Sequence, residues 1–403
     1  MRTSTGLLAV VSTLALLAGC AGAPERVETD EATADTLNAA RDVAARIDRD
    51  AEQDRVMAEI AVEYADAGYL EEASNTLEQV EGLVDRNYAM AFLAASYADK
   101  GEDERAEKLF KQALTISSEA RSPNQKGWML SELAGRYLEA GRKERALDAL
   151  SVALESAEAM QDPGKQAWLL AEIGSKYARA GQSDRAAELL ERAVAGSSDV
   201  RVAAEAVEVL SWISERQVDL GNQARAGELL AQAEDWGQRY EAESGPGQKA
   251  RLLTGIASDY IELGQEKDGS RLLSEALGIV QGTDDPFWKS WTRVGAAQGL
   301  VSLGRDDEAR DVLASALEDS EGIEDAMKQA RVRTDIATAY VELGDAVRGL
   351  KLVRDIESAS EQAWALTRIA VLQREAGTAL DPESRALIRG IREVASEGES
   401  GED

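Results

Sequence analysis

The 403-residue sequence has no histidine and only one cysteine, Cys20. Without histidine, the commonest general base and the commonest metal ligand are both missing. A single cysteine excludes an intrachain disulfide and a cysteine-based zinc site. Prolines number six, so long helical stretches are allowed. Aromatic residues make up 5% while Ala and Leu are abundant, a mix that favours helix. Positive charge is scarce: 45 Lys and Arg stand against 75 Asp and Glu, a net charge of −30. Such a polyanion is repelled by nucleic acid and by anionic lipid. Its acidity fits a solvated surface or a basic partner. No Ser-x-x-Lys, Gly-x-Ser-x-Gly, P-loop or EF-hand pattern occurs. The expectation is therefore no enzyme, no catalytic residue, no metal and no cofactor.

What is present begins with a leader. "MRTSTGLLAVVSTLALLAGCAGAPE" carries Arg2, then an apolar run too short for a comfortable transmembrane helix. It ends in Leu17-Ala18-Gly19-Cys20. This ending resembles the bacterial lipoprotein signal, which implies that residues 1–19 are removed and that Cys20 is lipidated. An ordinary signal with a chance cysteine is the alternative. The resemblance implies a membrane contact through the lipid anchor only. Ala21, by analogy with enteric lipoproteins, favours the outer membrane facing the periplasm. Residues 20–30 read as lipidated cysteine and tether.

The rest is repetitive. Glycines recur at Gly68, Gly101, Gly141, Gly181, Gly221, Gly264, Gly304, Gly344 and Gly377, mostly 40 residues apart. Four residues before the glycine stand Tyr64, Tyr97, Tyr137, Tyr177, Tyr260 and Tyr340, with Gln217, Leu300 and Gln373 as departures. Apolar or small residues at −11, −8, −7 and −4 form one face of a helix. Positions +5, +9 and +12 form the face of a second helix. The glycine between them ends the first helix by accepting a left-handed backbone. Each repeat is thus a helical hairpin.

The set Ile173, Gly174, Tyr177, Ala186 and Leu190 resembles the tetratricopeptide repeat (TPR). Its tryptophan position mostly holds Leu here, and its internal period is 40 rather than 34 residues. The extra residues lengthen the second helix, and the outer repeats revert to shorter ones. The resemblance implies an all-α, right-handed α-solenoid of about eight to nine TPR-like hairpins with capping helices. The expected order is a lone N-terminal capping helix at 31–52, an array over 53–378, a C-terminal capping helix at 379–395 and a disordered acidic tail at 396–403.

Thirteen residues before each glycine the column reads Arg55, Tyr88, Trp128, Trp168, Glu208, Arg251, Trp291, Arg331 and Trp364. It lies about 200° around the helix from the core column. In TPR arrays this face lines the concave groove. Arg55, Tyr88, Trp128, Trp168, Arg251, Trp291, Arg331 and Trp364 are therefore candidate partner-binding residues. Packing against neighbouring helices is the competing account of the same column. Small residues at −10 and −6 read as a groove floor or as close helix contacts. The resemblance suggests a membrane-anchored scaffold that binds a neutral to basic protein or peptide, for example in envelope assembly. The alternative is a receptor for a small molecule or glycan held between the aromatics. The sequence leaves the oligomeric state open.

Overall fold

A computed structural model describes residues 23–48, 51–198, 200, 202–240, 245–377 and 380–399, with only the backbone of 23–30 and 396–399. The leader at 1–19 and Cys20 lie outside the described residues. The described residues form nineteen helices and no strand. Nine serve as first helices of hairpins: α2 (Ala51–Asp66), α4 (Leu83–Asp99), α6 (Pro123–Glu139), α8 (Pro163–Arg179), α10 (Ala203–Asp219), α12 (Pro246–Glu262), α14 (Pro286–Ser302), α16 (Ala326–Glu342) and α18 (Ala359–Ala376). Eight are followed by second helices: α3 (Leu70–Leu77), α5 (Asp103–Glu119), α7 (Lys143–Glu158), α9 (Ser183–Ser197), α11 (Gln223–Arg239), α13 (Glu266–Gln281), α15 (Asp306–Glu321) and α17 (Ala346–Arg354). The interior second helices span 15–17 residues, while α3 and α17 have 8 and 9.

Local chemistry sets each hairpin. Pro123, Pro163, Pro246 and Pro286 open their first helices, where a missing N–H costs nothing. Asp162 and Asp285 cap two of these helices through backbone N–H groups. At the other end Gly181 takes φ +76°, and Gln182 N–H donates to Tyr177 O at 2.8 Å. This is a Schellman closure, repeated by Tyr69 on Tyr64 and Arg142 on Tyr137. Small residues at −7 let the two helices meet: a Cβ on Gly174 would stand 3.3 Å from both Ala186 O and the Leu190 side chain. The cores of adjacent hairpins merge into one apolar cluster running the length of the array.

Neighbouring first helices touch each other all the way round, and α18 also touches α2. The array therefore closes into a ring. Closure depends on α1 (Ala23–Ala44), which packs against α18 as extensively as a second helix packs against its own first helix. It then meets α2 as each second helix meets the next hairpin. α19 (Pro382–Glu399) lies outside, across α17 and α1.

Several expected boundaries shift accordingly. The helix expected to stand alone at 31–52 ends at Ala44 and is the second half of a ninth hairpin with α18. It begins at Ala23, so residues 23–30, read as tether, are helical. The C-terminal helix starts at Pro382 and runs to Glu399, into the segment expected to be a disordered tail. α19 continues one turn past Ala395, the last apolar residue, with no proline to stop it. Residues 400–403 lie outside the described residues.

Candidate functional site: the channel of a closed helical ring

Positions −13, −9, −6 and −2 fall on one stripe of each first helix, opposite its core face. Nine such stripes line the inside of the ring. Nine helices about 9 Å apart and about 10 Å across enclose a channel on the order of 15 Å wide. That width takes an extended chain or a single helix and excludes a folded domain.

The −13 column forms a belt near the N-terminal ends of the first helices. All nine members are half-buried. Neighbours stack on one another. Tyr88 stacks on Trp128 with centroids 6.0 Å apart, and Arg251 lies 4.7 Å over Trp291. Arg55 lies 5.4 Å over Trp364, joining α2 to α18. Trp168 packs on Trp212 of the −9 column at 5.5 Å. Arg331 reaches Glu361 at 3.5 Å. The belt thus both packs and faces the channel, and the candidate residues share one circumference. Many of its ring faces are already covered by a neighbour. The small −10 residues, in contrast, mostly lie buried between first helices: Ser131, Ala171, Thr254, Thr334 and Thr367 are buried and Ser211 is half-buried. They permit close helix contact and form no groove floor.

Below the belt the wall divides into two electrostatic sectors. Along α6, α8 and α10 the charges are matched. Lys176 bonds Glu132 at 3.0 Å and Glu172 at 2.5 Å, and Arg216 stands 3.5 Å from Glu172 and 2.8 Å from Glu215. Lys176 and Glu172 are 5% and 7% exposed, so this pair is buried and hydrogen-bonded. Burial opposes both charges, yet Lys176 and Arg216 hold the Glu172 carboxyl below its usual range. Glu132 and Glu172 in turn hold Lys176 up against burial.

Elsewhere carboxylates crowd without enough cations. Burial, together with Glu63 and Asp85, pushes Glu59 up to about 7 despite Arg55. Burial pushes Glu63 to about 7 although Arg374 stands 3.1 Å away. Asp259 goes to about 8, through burial and the nearby Glu215 and Glu262, with Ser211 pulling back. At the −2 column, the mouth nearest the hairpin turns, stand Asp66, Asp99, Glu139, Arg179, Asp219, Glu262, Ser302, Glu342 and Glu375. Seven of these nine are acidic, and nine helix C-termini add partial negative charge at the same mouth. The channel is thus polarised, with an aromatic and Arg belt at one end and an acidic rim at the other.

Among the described residues no group of three or more His, Cys, Asp or Glu is placed to hold a metal ion, and no helix is long and apolar enough to cross a membrane. A surface hollow of about 440 Å³ between α4 and α5, lined by Leu83, Met90 and Ile116, lies away from the channel. The sequence pattern of the −13 column did not reveal Phe92, Trp212, Lys176 or Arg216, because the −9 and −5 columns vary from repeat to repeat. Ring closure was also not foreseen.

The architecture and its lining define a class: a TPR-like α-solenoid, here closed on itself, with its variable side chains turned to an internal surface. Residues 86–159 match the tetratricopeptide repeat family model. No curated protein matches. Among solved structures the chain is similar to Ton1535 from Thermococcus onnurineus NA1, at 18% identity over 81% of this chain and 93% of that one, with a TM-score of 0.30. It is also similar to the apo form of RapI, at 13% identity over 85% and 98%, with a TM-score of 0.34. NprR in complex with its cognate peptide NprX matches at 13% identity over 77% and 91%, with a TM-score of 0.29.

Proposed function

We propose that this protein is a lipid-anchored scaffold of the bacterial envelope that holds a neutral to basic segment of a partner protein inside its ring. The observation that carries the reading is the channel wall: a belt of eight aromatic and Arg side chains, interrupted at Glu208, above carboxylates that lack enough cations. A basic segment supplies the missing positive charge, and its aliphatic stems pack on the belt. TPR-like repeats are an architecture for presenting such a surface. The lipoprotein-like leader supports attachment at Cys20, with Ala21 favouring the outer membrane, and assembly of the envelope is the process in which such a scaffold serves.

Two experiments test this. Calorimetric titration of the protein with a Lys-rich and a Glu-rich peptide should show binding of the first only, weakening as salt rises. Equal binding of both, or of neither, removes the reading. Separately, Cys20→Ser should release the protein from membrane fractions, and unchanged retention contradicts the anchor.

A further inference from the structure

We infer that the seam between α18 and the α1–α2 pair is a side entrance to the channel, through which the ring takes an internal stretch of a partner chain whose two ends are folded. The inference rests on the channel being the binding surface, and it adds the route of entry and the kind of segment that fits.

Every other junction in the ring is spanned by the chain itself, because a second helix joins one first helix to the next. Here α18 and α1 belong to opposite ends of the sequence, and only side chains hold them together. A channel on the order of 15 Å wide admits a free end by threading but cannot pass a folded domain. A segment folded on both sides needs an opening in the wall, and the molecule offers one non-covalent junction.

That junction also carries more buried polar groups than most of the others. The buried side of α1 is Ala32, Thr33, Thr36, Leu37, Ala39, Ala40, Val43 and Ala44. Three of the six interior second helices place paired leucines where α1 has Thr36 and Leu37: Leu189 with Leu190, Leu229 with Leu230 and Leu272 with Leu273. Where six other first helices carry Tyr, α18, like α10 with Gln217, carries a Gln: Gln373 accepts from Thr36 Oγ1 at 2.9 Å. Beside the apolar contact of Leu37, Ala40 and Val43, polar ties join α18 to α2, Ser360 to Glu52 at 2.7 Å and Arg374 to Glu63 at 3.1 Å, and Arg392 of α19 to Asp42 of α1 at 2.6 Å. Such ties fix register but exchange readily for water, and salt weakens the exposed ones. When α18 parts from both α1 and α2, and α19 from α1, α1 stays attached to α2, so the wall can open and close without unfolding the array.

Hydrogen exchange on the full chain tests the opening directly. α1 should exchange while α7 and α9 stay protected, and faster in high salt; protection of α1 equal to that of α7 overturns the inference. A clamp tests the route. Thr36→Cys and Gln373→Cys, in a Cys20→Ser background, are joined by a short bifunctional thiol reagent. If that pair fails to fold, Glu52→Cys with Ser360→Cys serves. The probes are a Lys-rich segment with a free end and the same segment between two folded domains. Clamping should leave the first unchanged and weaken capture of the second by about tenfold or more. Equal capture of the flanked probe by clamped and unclamped rings overturns the side entrance. Failure of the unclamped ring to bind either probe removes the reading of the channel instead, and the exchange measurement still decides whether the seam opens.

Discussion

Single side chains in this ring are decided by what surrounds them, and Lys176 shows it best. Its ammonium is buried between Glu132 and Glu172, with Arg216 beyond. Removing it leaves Glu172 charged and without its closest cation. Lys176→Met is expected to cost about 3–5 kcal/mol in urea denaturation, because a stranded buried charge is worse than none. Truncating an exposed partner such as Arg185, paired with Glu188, should change stability by less than about 0.5 kcal/mol. A loss of that small size at Lys176 would mean the pair is hydrated and not buried. Trp168 is the intermediate case. Its half-burial and its contact with Trp212 predict a loss of about 1–2 kcal/mol for Trp168→Ala, roughly half the value for a fully buried side chain. Peptide affinity should fall in the same variant, since the belt both packs and faces the channel.

At the scale of elements the decisive one is α1. If it is the second half of a hairpin with α18, Leu37→Ala should destabilise by about 2–5 kcal/mol and shift the fluorescence of Trp364, which sits at the same seam. If α1 were a detached cap, the helix would fray and Trp364 emission would not move. The hairpins themselves were legible because three constraints recur in step: a left-handed glycine, a small residue at the close approach and an aromatic under the turn. The ring went unread, although with the structure in view one comparison within the sequence agrees with it. Second helices repeat Leu at +9, Ala at +12 and a small residue at +16, as in Leu190, Ala193 and Ser197. Leu37, Ala40 and Ala44 carry the same series with no first helix before them, while Gly377 closes a first helix whose expected partner is missing. Gln373, a break in the Tyr column, is the residue that α1 engages through Thr36. The channel's ion pairs were not legible, because a Glu on a helix surface looks the same whether it faces a Lys across the next groove or open water.

The whole molecule carries an electrostatic cost that ring closure creates. An open solenoid would let Glu59, Glu63 and Asp259 face water; the ring surrounds them with protein and with one another. Their pKa values rise in the folded state, to about 7 for the two glutamates and about 8 for the aspartate. A raised carboxyl favours the folded state while protonated, so that contribution is present in acid and is lost as pH climbs through the folded values. Urea midpoints should therefore fall between about pH 5 and about pH 8.5, and Glu59→Gln with Asp259→Asn should flatten the slope. Glu172, held low by Lys176 and Arg216, acts in the opposite sense and loses its contribution only at lower pH. The same groups couple acidity to binding. A cationic segment in the channel favours the ionised carboxylates, so its arrival near neutral pH must expel protons. Calorimetric heats for the Lys-rich peptide should then depend on the ionisation enthalpy of the buffer, and the dependence should shrink in the Glu59→Gln, Asp259→Asn protein. Buffer-independent heats at neutral pH would place the peptide somewhere other than the channel.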